Sequence, residues 1–110
     1  MASQPVGRVK LTETDFLILE QLQEGRNMAG NIALEIDRAR NYVNQRMPYL
    51  LDYDLVEKIG PMKDSGLYEI TERGNLALEN REKYHDDSVD FEEFLNTEAR
   101  VSKPADDTEA

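Results

Sequence analysis

Residues 38–59 read RARNYVNQRMPYLLDYDLVEKI, and two different periods meet in them. Up to about Tyr53, Ala39, Val43, Met47 and Leu50 recur at i, i+4, i+8 and i+11, the spacing that lines one side of an α-helix with apolar groups. Between them stand Arg40, Asn41, Tyr42, Asn44, Gln45 and Arg46, all long or polar, so the rest of that helix surface can form hydrogen bonds and is partly cationic. From Leu55 the period changes. Leu55-Val56-Glu57-Lys58-Ile59 and Leu67-Tyr68-Glu69-Ile70-Thr71 read as two short strands, and the turn formers of Gly60-Pro61-Met62-Lys63-Asp64-Ser65-Gly66 between them predict a hairpin. A helix with a polar, arginine-bearing side thus runs directly into a β-hairpin.

Upstream, Thr12 is an N-cap candidate with Asp15 three residues on, and Phe16, Leu19 and Leu22 follow at helical spacing, widened by Leu17 and Ile18. Gly25 supplies a stop. Asn27 is placed to cap a short second helix from about Met28 to Ile36, burying Ala29, Ile32, Ala33 and Ile36. Asp37 opens the third helix, which spans Arg38 to about Tyr53. Downstream, Thr71 caps a fourth helix through about Tyr84, and Ser88 starts a fifth from Val89 to Ala99 with Phe91, Phe94 and Leu95 on one side. Val6, Val9 and Leu11 offer a short strand. Pro48 departs from the pattern, since proline inside a helix costs roughly 3 kcal/mol through its clash with the carbonyl four residues back. Either the third helix is kinked or it is shorter. Asp54 is compatible with a left-handed turn, which Asp tolerates.

The order helix, helix, helix, strand, strand, helix predicts a mainly α fold with a small β-hairpin, a winged helix-turn-helix. The expected organisation is a flexible lead-in over 1–10, the winged helix domain over 11–84, a C-terminal helix over 85–100 available for dimerisation, and a disordered acidic tail over 101–110. At 110 residues there is room for one core. No stretch approaches the roughly 20 apolar residues of a membrane helix, and the first residues lack the apolar middle of a secretory signal, so a cytoplasmic location is expected. The absence of cysteine excludes disulfides, thiolate nucleophiles and cysteine-based zinc sites.

The net charge of −10 runs against the basic face usual for a nucleic-acid binder. Its distribution softens the objection. Residues 85–110 carry nine acids against Arg100 and Lys103, a net of −7, which leaves −3 for residues 1–84.

The run from Thr12 to Leu78 resembles the haloarchaeal winged-helix family related to the phage phi-H repressor. The resemblance is carried by Thr14-Asp15-Phe16-Leu17-Ile18-Leu19-Glu20, Gly30-Asn31-Ile32-Ala33, Tyr42-Val43-Asn44-Gln45-Arg46, Leu55-Val56-Glu57-Lys58-Ile59-Gly60 and Gly66-Leu67-Tyr68-Glu69-Ile70-Thr71-Glu72-Arg73-Gly74. An acidic chain with more Arg than Lys and no Cys or Trp is similar to proteins that stay soluble in molar salt. The resemblance implies a DNA-binding, repressor-like regulator whose third helix reads the site.

In such domains that helix lies in the major groove with side chains meeting base edges. Arg pairs with guanine, and Asn or Gln with adenine, each good bidentate pair discriminating by roughly 1–3 kcal/mol. Arg40, Asn41, Asn44 and Gln45 are therefore the base-reading candidates, with Arg38, Tyr42 and Arg46 on flanking phosphates. The plainer alternative is a solvated helix face. Lys63, near the hairpin tip, is placed for a phosphate or the minor groove, and Lys58 either does the same or protects an exposed strand edge. His85 beside Asp86 and Asp87 reads as a helix-end residue, and Asp52 and Asp54 as solvated acids; no metal, cofactor or small-molecule ligand is expected. No nucleophile triad, phosphate loop or HExxH spacing is present, so an enzyme is not expected. The expected partners are double-stranded DNA and a second copy of the chain, joined through Phe91, Phe94 and Leu95; the alternative is that these side chains fold back on their own domain. The competing function is a winged helix that binds only protein. Ion pairing of Arg38, Arg40 and Arg46 to Glu35, Asp37 or Asp52 would favour that competitor.

Overall fold

The computed structural model describes residues 9–60 and 66–102, with side chains to residue 98. The chain order is α1 (Glu13–Gln23), β1 (Asn27–Met28), α2 (Ala29–Ile36), α3 (Arg40–Asp52), β2 (Val56–Ile59), β3 (Leu67–Ile70), α4 (Glu72–Glu79), α5 (Arg81–Tyr84) and α6 (Phe91–Ser102). Three of these helices, α1, α4 and α6, start on a side-chain hydrogen bond. The α1 start is the expected capping box. The Thr12 hydroxyl accepts from the Asp15 N–H at 3.1 Å, and the Asp15 carboxylate accepts from the Thr12 N–H at 2.8 Å.

The second helix starts differently from the expectation. Asn27 does not cap it; Met28 stands at the N-cap, and Asn27 and Met28 form a strand paired with Tyr68 and Leu67. Two residues are too few for alternation to register, so this third strand is invisible to periodicity. The sheet order is β1-β3-β2, antiparallel throughout, with Val56 opposite Ile70 and Lys58 opposite Tyr68 in the hairpin. Asp37 ends α2 in the left-handed conformation, φ 58°, instead of opening the next helix. Consequently α3 begins at Arg40, Arg38 lies in the linker, and Ala39 is exposed while Val43, Met47 and Leu50 are buried. Pro48 does not shorten α3, which continues to Asp52. Asn44 and Pro48 both lie on the exposed side, where water can take the carbonyl that the proline leaves without a donor. Asp54 adopts the left-handed turn, φ 64°, that swings the chain into β2.

Thr71 caps α4 as expected, accepting from the Gly74 N–H at 3.0 Å. The helix breaks at Asn80, and Tyr84 belongs to the separate α5. Asp90, not Ser88, caps α6, accepting from the Glu93 N–H at 3.1 Å. Val101 and Ser102 continue that helix; the remainder of the expected tail, like Val6 and most of the lead-in, falls outside the described residues. Val9 and Leu11 are buried without forming a strand, and Leu11 is tied at both backbone groups to the Tyr84 hydroxyl.

One core joins Phe16, Ile18, Leu19, Leu22, Ile32, Val43, Met47, Leu50, Leu55 and Val56, with Tyr68 half-buried against it. Phe91 and Leu95 are buried in the same core and Phe94 is half-buried, so the apolar group expected to join two copies folds onto its own domain. Edge-on ring contacts from Phe16 to Tyr84 at 5.7 Å and Tyr84 to Phe91 at 5.3 Å hold it there. Among the described residues no helix is long and apolar enough to cross a membrane.

Two substitutions test this packing by denaturant unfolding. Leu50 is fully buried, and Leu50→Ala is expected to lower stability by about 2–5 kcal/mol. At Gly74 an added Cβ would collide with the Leu55 carbonyl oxygen and lie 2.7 Å from Ile70 Cγ1, so Gly74→Ala is expected to destabilise by about 1–3 kcal/mol or more. Parental stability of either variant would contradict the packing described.

Candidate nucleic-acid interface

With Val43, Met47 and Leu50 turned inward, helical geometry sends Asn41, Gln45 and Pro48 to the opposite side of α3, flanked by Asn44 and by Tyr42 and Tyr49. All six are exposed. The side-chain amides of Asn41, Asn44 and Gln45 make no hydrogen bond among the described residues. Each therefore presents a carbonyl acceptor and an N–H donor side by side to solvent.

The arginines around this surface are disposed very differently. Arg46, expected on a phosphate, is turned inward onto Asp15: Nε donates to Oδ1 and Nη2 to Oδ2, both at 2.8 Å. Asp15 is fully buried, and Nη2 also reaches the Lys10 carbonyl at 3.4 Å. The guanidinium lies 4.4 Å from the Tyr49 ring centroid. Hydrogen bonding to Asp15 raises the Arg46 pKa above its ordinary value, against a smaller opposing effect of burial. Local sequence marks Asp15 only as a capping residue, since periodicity says nothing of a carboxylate serving two helices at once.

Arg38 lies in the linker before α3, with Nε 3.3 Å from the Thr14 hydroxyl and Nη1 3.2 Å from the Ile36 carbonyl. Arg40 lies over α2: a Cβ added to Gly30 would stand 3.5 Å from its Nε. These two arginines, with Met28, Gly30, Asn31, Ala33 and Leu34, line a cleft of about 450 Å³ between α2 and the start of α3. Leu34 is 81% exposed there, off the phase of Ile32 and Ala33, and this group was not singled out in the sequence. None of Arg38, Arg40 and Arg46 is ion-paired to Glu35, Asp37 or Asp52 among the described residues.

Lys58 is exposed on β2, an edge strand, with Nζ 6.0 Å from the Tyr68 ring centroid. Lys63 lies outside the described residues. His85 is exposed at the end of α5, and the described residues contain no group of three or more His, Cys, Asp or Glu side chains able to hold a metal. A second tie on α3 comes from Arg73 of α4. Its Nε donates to the carbonyl of Tyr53, the α3 C-cap residue, at 2.9 Å, and its terminal nitrogens reach Asn96 at 2.7 Å and Glu92 at 3.2 Å on α6.

No protein-family model matches this chain, and no curated protein matches it in sequence. Its fold is similar to that of solved winged-helix regulators. The adhesin competence repressor AdcR from Streptococcus pyogenes superposes with a TM-score of 0.58 at 23% identity, over 84% of this chain and 66% of that one. ZitR from Lactococcus lactis, a zinc-responsive MarR family member, gives a TM-score of 0.58 at 20% identity over 96% of this chain and 70% of its own. A ZitR variant in complex with DNA gives 0.58 at 20% identity, over 96% and 69%. The chain thus spans about two thirds of the length of these proteins, and the likeness shows a mostly helical winged-helix fold with a three-stranded antiparallel sheet.

Two ion pairs of different burial give a direct comparison. Arg46→Met leaves the Asp15 charge buried and unpaired, and is expected to cost about 3–5 kcal/mol in unfolding free energy. The Arg26–Glu69 pair spans 3.9 Å with side chains 62% and 40% exposed, so Arg26→Met is expected to change stability by no more than about 1 kcal/mol. Equal effects in urea titrations would deny Asp15–Arg46 its special place.

Proposed function

We propose that this chain is a sequence-specific DNA-binding transcriptional regulator, a phage-repressor-like repressor, that lays α3 in the major groove of double-stranded DNA. The observation that carries this reading is the exposed, hydrogen-bonding side of α3, the second helix of a helix-turn-helix, next to a three-stranded wing. Asn41, Asn44 and Gln45 meet base edges, and Arg40 approaches from the start of the helix. Arg38 and Tyr42 lie beside them for the phosphates. Lys58 and Lys63 belong to the wing, where contacts to the DNA backbone position the domain without specifying sequence. Arg46 serves indirectly, by holding α3 through Asp15. The ZitR variant solved with DNA has the same fold, which supports this use of it.

The charge of −10 favours a second reading, a winged helix that binds protein only. Salt reconciles acidity with DNA binding. In the cytoplasm of a salt-loving archaeon the screening length falls to roughly 3 Å at 1 M, so distant acids repel DNA little, but each phosphate contact also weakens. A homodimer compensates by presenting two reading helices about 34 Å apart to successive major grooves. The reading requires no cofactor and no catalytic step.

Selection of bound duplexes from a random pool at high salt is expected to enrich one motif. Gln45→Ala is expected to weaken binding to that motif and relax preference at single base pairs, whereas Lys63→Ala lowers affinity evenly across sequences and flattens the salt dependence. Light scattering at the same salt is expected to give about twice 12.6 kDa. Failure to enrich any motif would overturn the DNA-binding reading in favour of the protein-binding one.

A further inference from the structure

We infer that the bases read by the centre of α3's outward side are adenines, because that stripe carries the amides of Asn41 and Gln45, which make no hydrogen bond among the described residues, while Arg46 is bound to Asp15. The inference rests on the DNA-binding reading above and adds the base class to it.

The argument is one of helical phase. At 3.6 residues per turn, Asn41, Gln45 and Pro48 fall within about 60° of arc, opposite Val43, Met47 and Leu50, with Asn44 at the margin. Arg40 precedes Asn41 and Arg46 follows Gln45, each about 100° further round the helix, so both arginines start outside the stripe, on opposite sides. Arg40 is exposed at the start of the helix, beside Gly30 of α2, and Arg46 is bound by the buried Asp15 toward α1. Guanine's usual bidentate partner is therefore displaced from the centre of the surface, and what remains there is amide. An Asn or Gln amide accepts from the adenine N6 amino group and donates to N7 at once, a pattern that no other base offers in the major groove. Asn41 and Gln45 stand about 6 Å apart along the axis, which suits bases one or two steps apart.

Two neighbours point the same way. Pro48 has no donor and is exposed on the same stripe, an apolar surface suited to the methyl group of thymine, adenine's partner. Asp52 is exposed at the C-terminal end of the stripe, where a carboxylate repels phosphate and confines reading to the preceding turns.

The test modifies the DNA and leaves the protein intact. In fluorescence polarisation with the full chain and its selected duplex, replacing a read adenine by 7-deazaadenine is expected to weaken binding about 5- to 150-fold. Replacing the paired thymine by uracil should weaken it less. Gln45→Ala, an exposed change, should abolish the 7-deazaadenine effect at one position and spare it at others. A selected site that tolerates 7-deazaadenine throughout but loses affinity with 7-deazaguanine would overturn the inference while leaving DNA binding in place. If no duplex is selected at all, the DNA-binding reading falls and the inference with it.

Discussion

The buried carboxylate of Asp15 serves two helices, and the placement of α3 depends on it. It accepts the Thr12 N–H at the start of α1 and both nitrogens that Arg46 extends from the middle of α3. A fully buried charge is tolerated only when its lone pairs are occupied, so the pair has little freedom to open. Because a guanidinium fork and a carboxylate meet in one plane, the contact fixes the rotation of α3 about its own axis as well as its distance from α1. That rotation decides which side chains face outward.

The far end of α3 is held in a comparable way. Arg73 binds the carbonyl at its C-cap and links it to α6 through Glu92 and Asn96. Gly74, one residue on, lets α4 approach the Leu55 carbonyl at the entry to β2, which joins the wing to the same frame. With the middle and the C-terminal end of α3 secured by inward contacts, Asn41, Asn44 and Gln45 on its outer side take no part in holding the fold together. That side is free to carry these residues of only moderate helix propensity, whose unpaired amides need a partner from outside.

The main elements were legible in the sequence because their signals are local. The Thr12 box, the inward stripe Val43, Met47 and Leu50, the left-handed Asp54 and the Thr71 cap each depend on residues within a few positions of one another. What escaped was set at a distance. The strand at Asn27 and Met28 exists only because Tyr68 and Leu67 pair with it, and that pairing takes Asn27 away from capping α2. The aromatic group of α6 looked like a surface patch because nothing near it in the chain requires it, yet Tyr84 and Phe16 enclose it. Within the candidate site, the exposed amides followed from phase alone. The fate of Arg46 did not, since a cation on a polar helix side and a cation bound to a carboxylate 31 residues earlier share the same local sequence.

The acidity of the chain fits this division of labour. The proposed reading surface, made of amides and one apolar residue, would draw its selectivity from paired hydrogen bonds, which salt screens far less than phosphate contacts. The central claim is therefore that the outward side of α3 is the surface in contact with DNA. Titration of the selected duplex into labelled protein, followed by nuclear magnetic resonance of the side-chain NH2 groups, tests it most directly. The resonances of Asn41, Asn44 and Gln45 are predicted to shift, while that of Asn96 on α6 stays fixed. Shifts confined to α6 and the surface around Asn96, with the α3 amides unmoved, would contradict the account.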